Sequence, residues 1–287
     1  MRVVPIDFVP IAPATAAVYR VVEPGRSVFV KILRSPKLWP MLAGLPEHVR
    51  DRLLAEFPWR DEADFLLSGF ALPPGLRMPE VIRIDDLGDR VALWLEDVAC
   101  ADVRWDLPRF VRAARLLGRW AGRRFGGAPS GALRFLIESR PHSEAFQRLE
   151  SGELRALAAR LPELLDRLDR LPHAGAHGDA CPQNLLVPLD DPDSFVVIDV
   201  TWQCPHPIGF DLGQLLVGLA HDGTLPVCAL PEIREAIIDA YVEGLADEGE
   251  RVPVNEVAFG CDASLVIRSA FDSGPELARY LTGLVRG

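Results

Sequence analysis

The hydrophobic pattern of this chain changes period near Val98, and that change restricts the fold more than any other feature. Before it, Ala16 to Val22 and Ser27 to Leu33 are rich in Val, Phe, Ile and Tyr. They flank Glu23-Pro24-Gly25-Arg26, a turn composition, so the pair predicts a hairpin. His48 to Gly69 predicts one or two helices broken near Phe57-Pro58. Glu80 to Ile84 and Arg90 to Glu96 predict two more strands around the turn-like Asp85 to Asp89. An antiparallel sheet with one main helix accounts for this region. After Val98, Pro108 to Phe125 places Phe110, Leu117 and Trp120 or Ala121 on one helical face, and Gly126 to Gly131 breaks it. Leu154 to Leu171 is a second amphipathic helix. Its leucine stripe ends after about two or three heptads, which suits core packing better than a zipper. Two short strands, Leu185 to Val187 and Phe195 to Ile198, flank Asp190-Asp191-Pro192-Asp193, and helix resumes from Gly209. The expected class is α+β: a small antiparallel β lobe over residues 1–98, then a larger, mostly helical lobe over residues 99–287.

The chain has 287 residues, enough to bury a full core without covalent staples. Its net charge of -10 argues against nucleic acid, whose phosphates select basic faces. The same charge is compatible with a cationic small-molecule partner, although a solvated acidic surface would read alike. The five cysteines are odd in number, scattered and free of C-x-x-C spacing, which fits a reducing compartment. Met1 to Pro10 has no secretory pattern and no apolar run reaches the roughly 18 residues of a membrane span, so a cytoplasmic protein without membrane association is expected.

The chemistry concentrates in His177-Gly178-Asp179-Ala180-Cys181-Pro182-Gln183-Asn184, with Asp199 following after a β-type run. Transfer of a γ-phosphoryl group needs an aimed nucleophile, a positioned nucleotide and charge neutralisation by magnesium. Asp179 suits the first task, since a carboxylate beside a hydroxyl can orient it and accept its proton. Asn184 and Asp199 suit Mg²⁺, which takes hard oxygen ligands, and the intervening strand pair would bring them side by side.

The D-x-x-x-x-N spacing followed by a strand and Asp matches the protein-kinase pattern, with Gly178 where those enzymes have Arg. H-G-D-x-x-x-x-N-x-L and the later Ile198-Asp199 closely resemble the aminoglycoside phosphotransferase and choline kinase-like family. The resemblance implies a bilobal protein kinase-like fold and an ATP- and Mg²⁺-dependent phosphotransferase, with GTP as an alternative donor. The acceptor would be a small-molecule hydroxyl, as on an aminoglycoside, choline, homoserine or a sugar. It assigns His177 to the scaffold of the catalytic loop. Asp211, in Gly209-Phe210-Asp211-Leu212, would buttress that loop, although an Asp before a helix is otherwise an N-cap. Lys31, in Ser27 to Leu33, matches the strand lysine that contacts nucleotide phosphates. Glu62, in Arg60-Asp61-Glu62-Ala63, matches its partner, with Asp64 as the second choice. Leu93 to Val98 looks like the hinge, where Glu96 and Val98 would meet the adenine ring. These matches run from roughly Val18 to Leu216.

The sequence departs from the resembled pattern at three points. Cys181 stands where the family has His, Val200 where it has Trp or Phe, and Pro10 to Tyr19 contains no glycine for a phosphate loop. Three other readings compete. His177, Cys181, Cys204 and His206 could hold zinc, but H-x-x-x-C and C-x-H match no zinc spacing. Cys181 could be a nucleophile paired with His177, though nothing nearby lowers a thiol pKa. Loss of Lys31, Asp179, Asn184 or Asp199 would favour a nucleotide-binding pseudokinase or a binding protein without turnover, and all four are present. Asp222, Asp262, Asp272 and Glu276 are candidate contacts for a cationic acceptor, each also readable as a surface carboxylate.

Overall fold

The computed structural model describes residues 2–9, 11–138 and 152–285. The chain forms two compact units, one from Met1–Asp102 with Leu186–Trp202, the other from Val103–Leu185 with Gln203–Gly287.

The first unit is built on an antiparallel five-stranded sheet of order β1-β2-β3-β6-β5. Its strands are β1 (Arg2–Pro5), β2 (Thr15–Glu23), β3 (Arg26–Arg34), β5 (Val81–Asp86) and β6 (Arg90–Glu96). The expected hairpin is β2/β3, turning at Glu23↔Arg26, with Gly25 at φ 77° in the turn. Two helices accompany the sheet, α1 (Glu47–Glu56) and α2 (Asp61–Leu67), separated where Phe57-Pro58 predicted a break. Side chains alternate across a strand. Leu33, with Phe29 against it, packs on Ala63 of α2, while Val28 and Val30 pack with Val21 on the other face. Lys31 therefore falls between Phe29 and Leu33 on the helix-covered face. β9 (Phe195–Val197) pairs in parallel with β4 (Leu76–Arg77), and the chain enters that small sheet through β8 (Leu185–Leu186).

The second unit is mostly helical. Helix α3 (Leu107–Arg123) begins where the Asp106 side chain accepts from the Arg109 N–H, with Pro108 in its first turn. Phe110, Leu117, Trp120 and Ala121 are all buried, as the period predicts. After α4 (Ala132–Glu138), α5 (Gly152–Leu168) buries Leu157, Leu161, Leu164, Leu165 and Leu168, so its stripe is core. Then come α6 (Phe210–His221), α7 (Leu230–Asp247), α8 (Val254–Ser269) and α9 (Pro275–Leu284). A two-stranded antiparallel sheet joins β7 (His173–Gly175) to β10 (Pro205–Pro207). The sequence pattern misses these strands, because three residues, two of them proline in β10, carry no alternation. No described helix is long and apolar enough to cross a membrane.

Helices α3 and α7 meet at two glycines. A Cβ on Gly118 would lie 2.2 Å from the Tyr241 carbonyl oxygen, and one on Gly244 would lie 2.1 Å from that of Arg115. Both obstacles are backbone, so the helices would have to separate. Gly244→Ala is expected to lower unfolding free energy by about 1–3 kcal/mol, read from urea denaturation. Unchanged stability would show that the helices separate freely.

Candidate active site

Placing a lysine on the packed face of β3 creates the central electrostatic problem of the first unit. Burial opposes the charge of Lys31, but Glu62 and then Asp199 outweigh it and raise its pKa above the ordinary lysine value. Nζ lies 2.7 Å from Glu62 Oε2 and 3.1 Å from Asp199 Oδ1. The Glu62 side chain is only 4% exposed, whereas that of Asp199 is 45% exposed. Asp64, the second choice, is exposed. Thr201 Oγ1 donates to Asp199 Oδ1 at 3.3 Å, and the Asp199 backbone hydrogen-bonds Glu62. Asp199 has φ 57°, the one non-glycine residue with positive φ among those described. Asp tolerates this left-handed conformation better than most residues, but it remains uncommon and costly.

The second unit holds the H-G-D loop. The Asp211 carboxylate is fully buried and accepts the His177 N–H at Oδ2 and the Gly178 N–H at Oδ1, both at 2.9 Å. Burial pushes its pKa up, against the pull of His177 and these two N–H groups. Asp211 lies inside α6, whose N-cap is Gly209 with no capping side chain, so its carboxylate serves the loop and not its own helix end. Gly209 has φ 83°, and a Cβ there would lie 2.3 Å from the Val257 carbonyl oxygen. His177 is fully buried and its Nδ1 accepts the Asp179 N–H at 3.3 Å. Asn184 Nδ2 donates to the Asp179 carbonyl at 2.9 Å and to Asp179 Oδ2 at 3.2 Å. That orientation leaves the amide oxygen for a cation.

Sequence reasoning missed Arg268, in the last turn of α8. It donates from Nη2 to Asp179 Oδ1 and from Nη1 to the Gly178 carbonyl, each at 3.1 Å. A basic residue in a final helical turn is unremarkable by itself, so no signal marked it.

The hinge assignments divide. The Glu96 side chain grips Arg77 through two hydrogen bonds of 2.6 and 2.8 Å, which hold its carboxyl below the usual range, and its N–H donates to Glu80. Val98 and Glu96, with Asp97, Ala99, Arg77 and Leu189, line a cavity of about 520 Å³. Of the four acidic candidates, Asp262 is taken by Arg234. Asp222, Asp272 and Glu276 line one cavity of about 560 Å³ together with His221. Gln183 of the H-G-D loop reaches that cavity, donating to Asp222 at 3.0 Å. Among the described residues no three His, Cys, Asp or Glu side chains gather as a zinc site would need, although Cys204 Sγ and His206 Nε2 are 3.3 Å apart. A magnesium site with two protein ligands would not register in that count.

No protein-family model and no curated protein matches the sequence. Solved structures do match. An aminoglycoside-3'-phosphotransferase of type VIII superposes with a TM-score of 0.54 at 23% identity, covering 88% of this chain and 89% of the other. Choline kinase LicA from Streptococcus pneumoniae gives 0.59 at 13% identity over 99% and 92%. An aminoglycoside phosphotransferase from Streptomyces rimosus, solved with ADP and streptomycin, gives 0.55 at 18% over 88% and 92%. The chain shares the protein kinase-like fold of these enzymes.

Asp211→Ala would strand two buried N–H groups. Unfolding free energy should fall by about 2–6 kcal/mol, at roughly 1–3 for each orphaned donor. Chemical denaturation checks this, and wild-type stability in the variant would remove Asp211 as the support of the loop.

Proposed function

We propose that this protein is an ATP- and magnesium-dependent kinase of a small-molecule hydroxyl. The observation that carries the reading is the buried Lys31 held by Glu62 and Asp199. Burying an ion pair seldom stabilises a fold more than apolar side chains of the same volume would. A lysine kept charged on a packed face, beside a half-exposed carboxylate in a left-handed conformation, is better accounted for by a ligand. Phosphate oxygens suit the ammonium, and a cation suits the carboxylate.

In this reading Lys31, positioned by Glu62, engages the α- and β-phosphates. Asp199 and the amide oxygen of Asn184 would hold Mg²⁺, which when bound would offset charge developing on the phosphates. Glu96 and Val98 belong to the hinge that meets the base, Glu96 through its backbone since its carboxylate is engaged by Arg77. Asp179 accepts the proton of the acceptor hydroxyl as that oxygen bonds the γ-phosphorus. The bond to the β,γ-bridging oxygen breaks, and its electron pair leaves on ADP. His177 and Asp211 keep the loop in shape.

For the acceptor, the cavity holding Asp222, Asp272 and Glu276 supports a cationic molecule, an aminoglycoside or other amino-bearing alcohol. Choline kinase and a streptomycin-bound enzyme among the structural neighbours support the same class.

A screen of aminoglycosides, peptide antibiotics, amino alcohols and sugars for magnesium-dependent ADP release tests the reading. Turnover with none of these while nucleotide still binds would favour a pseudokinase. Asp179→Asn should lower kcat by about 10²- to 10⁴-fold, the usual contribution of a general base, with nucleotide affinity by calorimetry near wild type. Full activity in that variant would refute the assignment. Asp199→Ala should weaken Mg-nucleotide binding itself, and unchanged affinity would remove Asp199 as a metal ligand. Asp272→Asn with Glu276→Gln should raise KM for a cationic acceptor and leave the nucleotide KM alone; a neutral acceptor with unchanged KM would redirect the acceptor class.

A further inference from the structure

The Asp179 carboxylate is engaged at both oxygens, Oδ1 by Arg268 Nη2 and Oδ2 by Asn184 Nδ2. Arg268 comes from α8, 89 residues downstream. Its other nitrogen, Nη1, donates to the Gly178 carbonyl, so one planar guanidinium spans the backbone and the side chain of consecutive loop residues. Gly178 has φ 89°, a turn that aims its carbonyl. The guanidinium carbon also lies 4.9 Å from the centre of the Phe210 ring, next to the Asp211 that holds the loop amides. The Arg268 side chain is 13% exposed, whereas that of Asp179 is 34% exposed. The arginine is thus packed in place and the carboxylate faces outward.

We propose that Arg268 is a positioning residue for the base: it fixes the rotation of the Asp179 carboxylate so that an oxygen is aimed at the acceptor hydroxyl. The inference rests on the reading of Asp179 as general base. Each carboxylate oxygen has two acceptor sites, so each keeps one after taking a single donor. Arg268 and Asn184, one per oxygen, stop the group from turning without exhausting its capacity to accept the hydroxyl proton. The planar fork matters here, because a lysine ammonium is a point charge and cannot span two acceptors in fixed geometry. Asn184 has a second assignment as a metal ligand. Arg268 has no assignment as a metal or substrate contact, which makes it the residue where orientation can be tested separately.

Arg268→Ala is expected to lower kcat by about 10- to 100-fold, the loss typical of a misaligned catalytic group, with nucleotide KM and Tm near wild type. Millimolar guanidinium ion should restore part of kcat, and crystals of the variant should show Asp179 turned or in more than one rotamer. Unchanged kcat, or a fall matched by lost Tm and not restored by guanidinium, would overturn the proposal in favour of a purely structural arginine. If Arg268→Ala does not fold, the comparison is made on Arg268→Lys. There a reduced kcat at unaltered nucleotide KM supports the proposal and an unchanged kcat overturns it. Lack of phosphoryl transfer by the wild-type protein would overturn the kinase reading instead. The Asp179 rotamer in the variant crystals still decides the role of Arg268 in that case, a single unmoved rotamer ruling it out.

Discussion

A lysine on the packed face of a strand must be paired or discharged, and in this protein that requirement organises the first unit. The alternation of β3 sends Phe29, Lys31 and Leu33 to the face covered by α2. Once there, Lys31 determines what α2 must carry at the facing position, and Glu62 is buried for that reason while Asp64, two residues on, is exposed. The pair balances in charge. Adding Asp199 leaves one excess negative charge near Lys31, and this excess sits on the more exposed of the two carboxylates. A purely structural pair would not need it. The left-handed backbone at Asp199 points the same way, since a residue is held in such a conformation only where its surroundings fix it.

The second unit meets a related constraint by different means. A tight loop exposes backbone groups that helix and sheet would otherwise satisfy, and burial makes leaving them unpaired costly. Asp211 takes two of these N–H groups, His177 takes the Asp179 N–H, and Asn184 and Arg268 take the Asp179 and Gly178 carbonyls. The loop is therefore held by side chains from α6, α8 and its own far end, with no regular ladder. Such a loop keeps its shape while leaving the Asp179 carboxylate one-third exposed.

The parts legible in the sequence are those whose signal is local. The hairpin, the break at Phe57-Pro58, the amphipathic helices and the D-x-x-x-x-N spacing each lie within one window of residues, where period and turn composition act. Lys31 and Glu62 were reachable only through resemblance, because a lysine in a strand ordinarily faces solvent and no spacing links residues thirty apart. Arg268 was invisible for a stronger reason. Its position is explained in full by the helix dipole, and only the fold brings it to Asp179. The packing of Leu186–Trp202 with the first unit depends on the parallel pairing of β9 with β4, more than a hundred residues apart in sequence. Pairings of that range leave no trace in local pattern. The Arg77 grip on Glu96 spans only 19 residues, but it too is set by the fold and by no local pattern.

In the proposed reading the acceptor would be set by another kind of residue. Lys31, Glu62 and Asp211 are buried and paired, so changing any one of them costs stability, and the fold itself restrains them. Asp222, Asp272 and Glu276 are exposed around a cavity and stabilise little. They can change without unfolding the protein, so the same buried residues would be compatible with different acceptors. A shared fold at 13 to 23% identity therefore says little about which molecule would receive a phosphate. The exposed carboxylates share one property, negative charge, and one of them, Asp222, is reached by Gln183 of the H-G-D loop. That connection makes the cavity the place where the acceptor's charge would be read beside the base.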